Sequence, residues 1–436
     1  VNVLILGSGG REHAFAYALR QSKVVDKLFI APGNAGTALC GTNLPLAPTD
    51  FAAVFRACRD LDIDVLLPGP EDPLVKGISD YMADASISDG GKAVFVAGPS
   101  AAAAKLEGSK DHSKAFMFRH GIPTAAYQSF GKDNLSEGEA FLHTLRPPYV
   151  LKADGLAAGK GVLILDDLQE ASVALDEMIL SGRFGAAGER VVIEEFLHGI
   201  EISVFAISDG KNWQVLGSAK DYKRIGDGDT GSNTGGMGAV SPVPFANDTF
   251  MQKVKERILE PTFRGLQQEG IPFTGFLFVG LMNCGGDPYV IEYNVRMGDP
   301  ETEVVLPRLA NDFGEILQMM QAGRMEEIQI RSRQETAVGI VLVSGGYPGD
   351  YPKGKAINIQ QDALPEGTIC YHAGTSDSNG TLSTAGGRVM VLSSFGSSIE
   401  AAAALSYKAI AAIRFDGMNY RSDIGKDLIA LTNTSE

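Results

Sequence analysis

Cysteine and histidine are scarce in this chain. Cys40, Cys58, Cys284 and Cys370 lie far apart with no CxxC pair, and the six histidines show no zinc-ligand spacing. That excludes a disulfide scaffold and a zinc module, and it points to a reducing compartment. Positive charge is short as well: 38 Lys and Arg stand against 53 Asp and Glu, a net charge of −15. So acidic a chain repels nucleic acid, which is therefore not an expected partner. Long apolar runs are missing too, well short of the ~20 residues of a membrane span, and no basic segment leading into an apolar one opens the chain. A cytoplasmic location without a membrane partner is expected. What is present is ordinary for a globular protein, 44% hydrophobic and 21% charged residues. A length of 436 residues is too great for one core and implies about two to four domains. A small anionic ligand remains compatible with the negative charge, because local lysines and helix N-termini outweigh it at short range.

The amino-terminal third reads as repeated strand-then-loop units. Val3-Leu4-Ile5-Leu6 runs into Gly7-Ser8-Gly9-Gly10-Arg11-Glu12-His13 and then a helical pattern. Such a turn offers backbone N–H groups to phosphate. Glu12 stands where a dinucleotide fingerprint places its third glycine, which argues against a nicotinamide cofactor and a dehydrogenase. Lys27 to Ile30, Asp64 to Leu67 and Ala93 to Val96 each lead into a loop rich in glycine and proline. In a parallel sheet these loops gather at the carboxyl edge, where ligands bind.

The middle of the chain carries three polar segments. Tyr149-Val150-Leu151-Lys152 is a strand ending in lysine, followed by a glycine and alanine loop through Gly159-Lys160-Gly161. It is not a Walker A loop, but a hairpin loop of this kind can fold over phosphates with Lys152 as a fixed charge; the alternative is a plain hairpin with two surface lysines. Arg190 to Leu197 is a strand running into Glu194-Glu195-Phe196-Leu197, a hinge whose backbone can pair with an adenine edge, and Glu201 beyond it can accept from ribose hydroxyls. Lys220 to Gly238 is a long glycine-dense stretch with charges of alternating sign, which suits a binding loop.

The most informative segment is Ile291-Glu292-Tyr293-Asn294-Val295-Arg296-Met297-Gly298-Asp299-Pro300-Glu301. It follows the apolar run Phe276 to Met282 across a glycine turn, so a hairpin is predicted. Alternation puts Glu292, Asn294 and Arg296 on one face. Two oxygen ligands and a cation spaced this way suit a divalent metal and the phosphates it bridges; the bland alternative is the polar face of an edge strand.

A strand-end lysine, a glycine loop, an acidic hinge and a carboxylate–carboxamide strand, in that order, resemble the ATP-grasp fold. Further stretches resemble one branch of it, the glycinamide ribonucleotide synthetase family. They include Ala31 to Ala38, Gly69-Pro70-Glu71-Asp72-Pro73, Leu106 to Lys110, Asn233 to Gly238, Arg296 to Glu301, Gly345 to Tyr351, His372 to Thr375 and Gly386-Gly387-Arg388-Val389. The resemblance spans nearly the whole chain. It implies an α/β and α+β architecture in four parts: an amino-terminal doubly wound domain over 1–126, a lid subdomain over 127–195, an ATP-grasp core with the metal site over 196–333, and a carboxy-terminal α/β domain over 334–436. It implies ATP and Mg2+ or Mn2+ as cofactors, and glycine and 5-phosphoribosylamine as substrates joined through glycyl phosphate in purine synthesis. By the family's pattern Glu292 and Asn294 hold metal. Lys110, Lys152 and the loop Gly159, Lys160 and Gly161 meet phosphates. Glu194, Glu195, Phe196 and Leu197 read adenine, and Glu201 takes the ribose. Gly9, Gly10, Arg11, Asn34, Gly36, Glu71 and Asp299 cradle the phosphoribosyl part. Arg296, Lys152 and Asp221 are the implied catalytic residues, with Arg296 serving the transferring phosphoryl group, the glycine carboxylate or both.

The family usually reads Gln-Asp-His-Lys-Arg where this chain has Lys220-Asp221-Tyr222-Lys223-Arg224, which puts the surroundings of Asp221 in question. Ile200 stands before Glu201, and Met297 replaces a usual phenylalanine or leucine; both read as packing changes. Two rivals stand against this reading: an ATP-grasp ligase using formate or bicarbonate, and a non-catalytic nucleotide sensor. Both a monomer and a homodimer are compatible with the sequence, as are a stand-alone enzyme and a piece of a longer multifunctional chain.

Overall fold

A computed structural model describes residues 1–156, 161–181 and 184–433. Near the amino terminus β1 (Asn2–Gly7), β2 (Lys27–Pro32), β3 (Thr42–Asn43), β4 (Val65–Pro68) and β5 (Phe95–Val96) form a parallel sheet of order β3-β2-β1-β4-β5. Val3 to Leu6 and Val65 to Leu67 are buried on both faces, which is why they read as unbroken apolar runs. Chain order reverses between β1 and β4, so a crevice opens at that switch point. The loops after these two strands, Gly7–Gly10 and Gly69–Glu71, flank it. The helix Gly10–Arg20 follows β1 at once, and the Glu12 carboxylate turns back to accept from the Gly9 N–H as a capping box.

The helices Ala101–Gly108 and Lys110–Arg119 lead out of this sheet. Ser109 caps the second, its Oγ accepting from the His112 N–H at 3.1 Å. Beyond them β6 (Tyr127–Gly131), β7 (Tyr149–Ala153), β8 (Val162–Leu165) and β9 (Arg190–Glu194) make a separate antiparallel sheet of order β6-β9-β7-β8. Its inner face packs Leu151, Val191 and Ile193 against Leu175 and Met178 of the helix Leu168–Leu180.

The centre of the molecule is an antiparallel sheet. β10 (Ile200–Asp209), β11 (Trp213–Asp221), β14 (Gly238–Ser241), β15 (Thr274–Cys284), β16 (Asp287–Asn294), β17 (Thr336–Val343), β19 (Thr368–His372) and β22 (Arg388–Gly396) pair in the order β16-β15-β10-β11-β14-β17-β22-β19. The sheet runs unbroken across residue 333, with Ala239 of β14 opposite Gly339 of β17. Small pairs branch from it: β12 (Arg224–Gly226) with β13 (Thr230–Asn233), β18 (Asn358–Ile359) with β23 (Ile413–Arg414), and β20 (Thr375–Ser378) with β21 (Thr381–Thr384). The predicted hairpin is β15–β16, and β16 is the edge strand. Its register slips by one residue, Gly280 lying opposite Glu292 but Leu281 opposite Val290, so Ile291 is bulged out. A bulge re-aims its neighbours and frees a backbone group. Here the Ile291 carbonyl accepts from the Lys152 ammonium at 3.4 Å.

Candidate active site

Glu292 sits among cations. Burial alone would raise its carboxyl, yet Lys223, Lys152, Lys110 and Arg296 together hold it below the ordinary glutamate range. These residues come from the end of β7, the start of the helix Lys110–Arg119, the segment after β11 and the segment after β16, elements brought together only by the fold. Lys223, whose side chain is 43% exposed, is held protonated by Asp221, Glu201 and Glu292 around it. Several cations drawn from separate elements and aimed at one carboxylate suit a polyanion bridged through a cation.

Lys152 is 5% exposed and donates to Glu194 Oε2 at 3.0 Å. Lys114, absent from the sequence-based set, reaches the same oxygen at 3.1 Å and also donates to Thr124 Oγ1 at 2.7 Å. Burial brings Lys114 down to about 8, against the pull of Glu194. Lys152 therefore has an internal carboxylate partner, and an ammonium carries three donors, so one remains for an anion beyond its two contacts. Lys110 Nζ donates to the Gly155 carbonyl at 3.2 Å, tying its helix to the glycine loop. Gly161 closes that loop by giving its carbonyl to the Ala153 N–H, while Gly159 and Lys160 lie outside the described residues.

At the hinge the Glu195 N–H is given to the Ala126 carbonyl at 3.0 Å and its Oε1 accepts from the Ala126 N–H at 2.9 Å. Phe196 and Leu197 follow, half-buried and outside any strand. Glu201 Oε2 accepts from Lys223 Nζ at 2.8 Å, and Lys223 holds the carboxyl below its usual range. Burial works the other way on Asp221, raising it although Lys223 is near. Alternation splits this segment between two sides. Asp221 and Lys223 face the cleft, while Lys220 and Tyr222 turn to the opposite side, onto Asp427.

The phosphoribosyl set is a second cluster at the crevice, already dense with carboxylates. Arg11 donates from Nε to Glu12 Oε1 at 2.7 Å and from Nη1 to the Met297 carbonyl at 3.1 Å. Asp299 pairs with Arg388 at 3.1 Å, and Arg388 Nη1 also donates to the Asp299 and Gly235 carbonyls. A Cβ on Gly9 would lie 2.9 Å from Glu12 Oε2, and one on Gly10 would lie 2.2 Å from Glu303 Oε1, so a larger residue at either position would have to displace a carboxylate. At Gly36 a Cβ would strike the His13 ring and His372. Asn34 is a bolt between loops rather than a spare donor. Its Nδ2 donates to the Ser8 carbonyl at 2.9 Å and the His372 carbonyl at 3.0 Å, and its Oδ1 accepts from the Gly36 and Thr37 N–H groups.

Arg296 bridges the two clusters. Its Nε meets Glu71 Oε2 at 3.2 Å, and its Nη2 meets Glu107 Oε1 at 3.0 Å and Asn294 Oδ1 at 3.3 Å. Burial pushes Glu107 up to about 7 although Arg296 opposes it. The guanidinium is thus braced between two carboxylates of the amino-terminal part and one oxygen of the β16 strand.

The donors fit a divalent cation carried by a nucleotide. Among the described residues no group of three or more His, Cys, Asp or Glu is placed to cage a metal by itself. Magnesium is commonly held by one or two carboxylates plus substrate phosphates, which is the set Glu292 and Asn294 offer. Asn294 is 8% exposed; its Oδ1, the atom able to meet a cation, accepts from Arg296 Nη2 at 3.3 Å, and its unpaired Nδ2 is a donor that suits a phosphate oxygen rather than the metal.

Glu303 is a further residue missed in the sequence. It is fully buried, and neither carboxylate oxygen finds a partner among the described residues. Burial and the neighbouring Asp299 raise it well above the usual range, so it stays protonated. A carboxyl whose folded value is raised contributes stability that is complete below the unfolded value of about 4.3 and is lost as pH rises. Glu303→Gln cannot ionise, so thermal midpoints of this variant are expected to fall less between about pH 5 and 8 than those of the parent. Parallel slopes for the two proteins would exclude Glu303 as a source of that loss.

A doubly wound domain, a small separate antiparallel sheet and an antiparallel core with a cation-ringed carboxylate define an ATP-grasp protein, and residues 108–302 match the family model described as "Phosphoribosylglycinamide synthetase, ATP-grasp (A) domain". Residues 1–107 match the N domain and 337–427 the C domain of the same synthetase. The chain belongs to the phosphoribosylglycinamide synthetase family. It is 43% identical over 429 residues to a phosphoribosylamine–glycine ligase of Ralstonia nicotianae, covering 98% of this chain and 99% of that protein. It is 44% identical over 427 residues to a bifunctional purine biosynthetic protein of Schizosaccharomyces pombe, covering 97% of this chain and 53%, about half, of that protein. The crystal structure of phosphoribosylamine–glycine ligase from Thermotoga maritima superposes with a TM-score of 0.83 at 36% identity, covering 97% of this chain and 100% of that one. No helix among the described residues is long and apolar enough to cross a membrane.

Proposed function

We propose that this protein joins glycine to 5-phosphoribosylamine at the expense of ATP, through glycyl phosphate, giving glycinamide ribonucleotide, ADP and phosphate in purine synthesis. The observation that carries the reading is the convergence of Lys110, Lys152, Lys223 and Arg296 on Glu292, in a chain whose net charge is −15. Lys110 and Lys152, with the loop Gly159, Lys160 and Gly161, hold the phosphates. Backbone groups from Glu194 to Leu197 read adenine, apart from the Glu195 N–H, which already serves the Ala126 carbonyl. Glu201 takes the ribose hydroxyls. Glu292 and Asn294 would hold Mg2+ or Mn2+, which when bound would neutralise phosphate charge.

A glycine carboxylate oxygen attacks the terminal phosphorus and ADP leaves. The amine nitrogen of phosphoribosylamine then attacks the acyl carbon, phosphate leaves and the nitrogen loses a proton. Arg296 faces the glycine carboxylate and the transferring phosphoryl group, and Asp221 keeps Lys223 directed at the site. The loops at Gly9, Gly10, Arg11, Asn34 and Gly36, with Glu71 and Asp299, orient the phosphoribosyl part. Positioning and charge stabilisation dominate both steps, and closure keeps water from the acyl phosphate. The division of labour follows 1–126 for phosphoribosylamine, 127–195 as lid, 196–333 for nucleotide and metal, and 334–436 as the closing part. The enzyme works in the cytoplasm as a monomer or homodimer, either alone or joined to a second purine activity as in the bifunctional relative. ADP release measured with ATP, magnesium, glycine and phosphoribosylamine is expected to need both acceptor substrates. ADP release unaffected by omitting glycine would overturn the reading.

A further inference from the structure

Lys220 and Tyr222, the two positions that set this sequence apart beside Asp221, turn away from the cleft and build a clasp with the carboxy-terminal segment. Tyr222 is 2% exposed. Its hydroxyl donates to Asp427 Oδ1 at 2.6 Å and accepts from the Gly425 N–H at 3.0 Å. Lys220 Nζ lies 3.7 Å from the centre of the Tyr222 ring and 3.1 Å from Asp427 Oδ2. The Arg421 guanidinium lies 5.2 Å from the same ring. One aromatic ring thus takes two cations, an arrangement worth most where water is excluded.

Arg421 extends the grip to the β12–β13 hairpin. It is 1% exposed and binds Asp229 at 2.6 Å, Asp423 at 2.8 Å and the Arg224 carbonyl at 3.2 Å. Asp229 sits at φ 55° in the turn of that hairpin, a left-handed conformation that Asp tolerates. Asp423 in turn accepts from the Gly228 N–H at 2.7 Å, and Asp227 accepts from the Ser422 N–H at 2.8 Å. Residues 421–427 therefore clamp the chain on both sides of Lys223: at Tyr222 just before it and at the hairpin just after. Lys223 is the residue that pairs with Glu201 and faces Glu292.

We infer that Tyr222, Lys220, Arg421 and Asp427 act as positioning residues for the reaction: the carboxy-terminal segment, through them, fixes Lys223 and Asp221 against the nucleotide site. The kinetic side of this inference rests on the functional reading above; the clasp itself does not. A ring without its hydroxyl keeps both cations but loses the link to Asp427 and Gly425, so Tyr222→Phe folds and loosens only the clasp.

The test compares Tyr222→Phe, Asp427→Asn and the double variant with the parent, by steady-state ADP release and by amide hydrogen exchange. Each single variant is expected to raise KM for ATP about 3- to 10-fold with kcat changed less than about 2-fold, and the double variant to be no worse than either, because the two side chains share one interaction. Exchange is expected to quicken over residues 221–238 as well as in the helix Lys426–Asn433. A fall in thermal midpoint with KM for ATP unchanged makes the clasp structural only and overturns the inference. If the parent releases no ADP with these substrates, the functional reading fails and exchange alone decides. Quicker exchange over 221–238 then upholds the clasp, and unchanged exchange there overturns it.

Discussion

Glu292→Gln is expected to cost about a thousand-fold in kcat while leaving the fold intact and nucleotide binding without metal undiminished. The substitution keeps size and polarity on an edge strand, so little packing changes. What it removes is the one negative charge that Lys110, Lys152, Lys223 and Arg296 all share, beside the separate carboxylate partners of Lys152, Lys223 and Arg296. ATP alone then meets the same cations without the opposing carboxylate, and its affinity in chelator is expected to stay or to tighten. With magnesium the order reverses: the cation loses one of its two protein oxygens, and the metal-dependent gain in affinity and turnover disappears. Titration of ATP with and without magnesium, beside a turnover assay, separates these effects. A variant that retains parental turnover at saturating magnesium would remove Glu292 from the metal site.

Lys152→Met carries the second large effect. Methionine is nearly as long and unbranched, so the buried stem is replaced and only the ammonium is lost. Glu194 is 3% exposed, and a buried carboxylate stripped of its partner is costly. Here Lys114 remains on the same oxygen at 3.1 Å, so the fold is expected to survive. Loss of one fixed charge aimed at the phosphates is expected to lower kcat/KM for ATP by about 100- to 1000-fold. Lys114→Met, which removes the lysine that also bonds Thr124, is expected to cost less than about 10-fold. Equal losses in the two variants would mean that Lys152 serves Glu194 and not the nucleotide.

The parts of the site written along one strand or one loop were legible. Period-two alternation put Glu292 and Asn294 on the β15–β16 hairpin, and the glycine turns after β1 and β4 marked the crevice at the sheet's switch point. The same alternation applied to Lys220–Lys223 separates the two residues facing the cleft from the two facing Asp427. What the sequence hid is the long-range pairing of buried charge. Glu107 meets the Val295 N–H across 188 positions, and Arg388 reaches the Asp299 carbonyl across 89. No local pattern announces such partners, because a lysine or glutamate inside a helix reads as surface until the fold buries it. Lys114 and Glu303 are of that kind. Asn34 shows the converse: its loop was recognisable, but only the structure reveals that its amide locks the Ser8, Gly36 and His372 backbones together. The continuity of the central sheet across residue 333 was equally hidden, since it depends on β14 pairing with β17 almost a hundred residues later.

The central claim is that this site activates glycine by phosphoryl transfer from ATP before the amine attacks. It is tested most directly with glycine labelled with oxygen-18 in its carboxylate, followed by mass analysis of the phosphate released during turnover with ATP and phosphoribosylamine. Each phosphate formed is predicted to carry one carboxylate oxygen from glycine, because the bond made to phosphorus in the first step is the bond kept when the acyl carbon is attacked. Phosphate free of label, formed at the rate of amide production, would contradict the account.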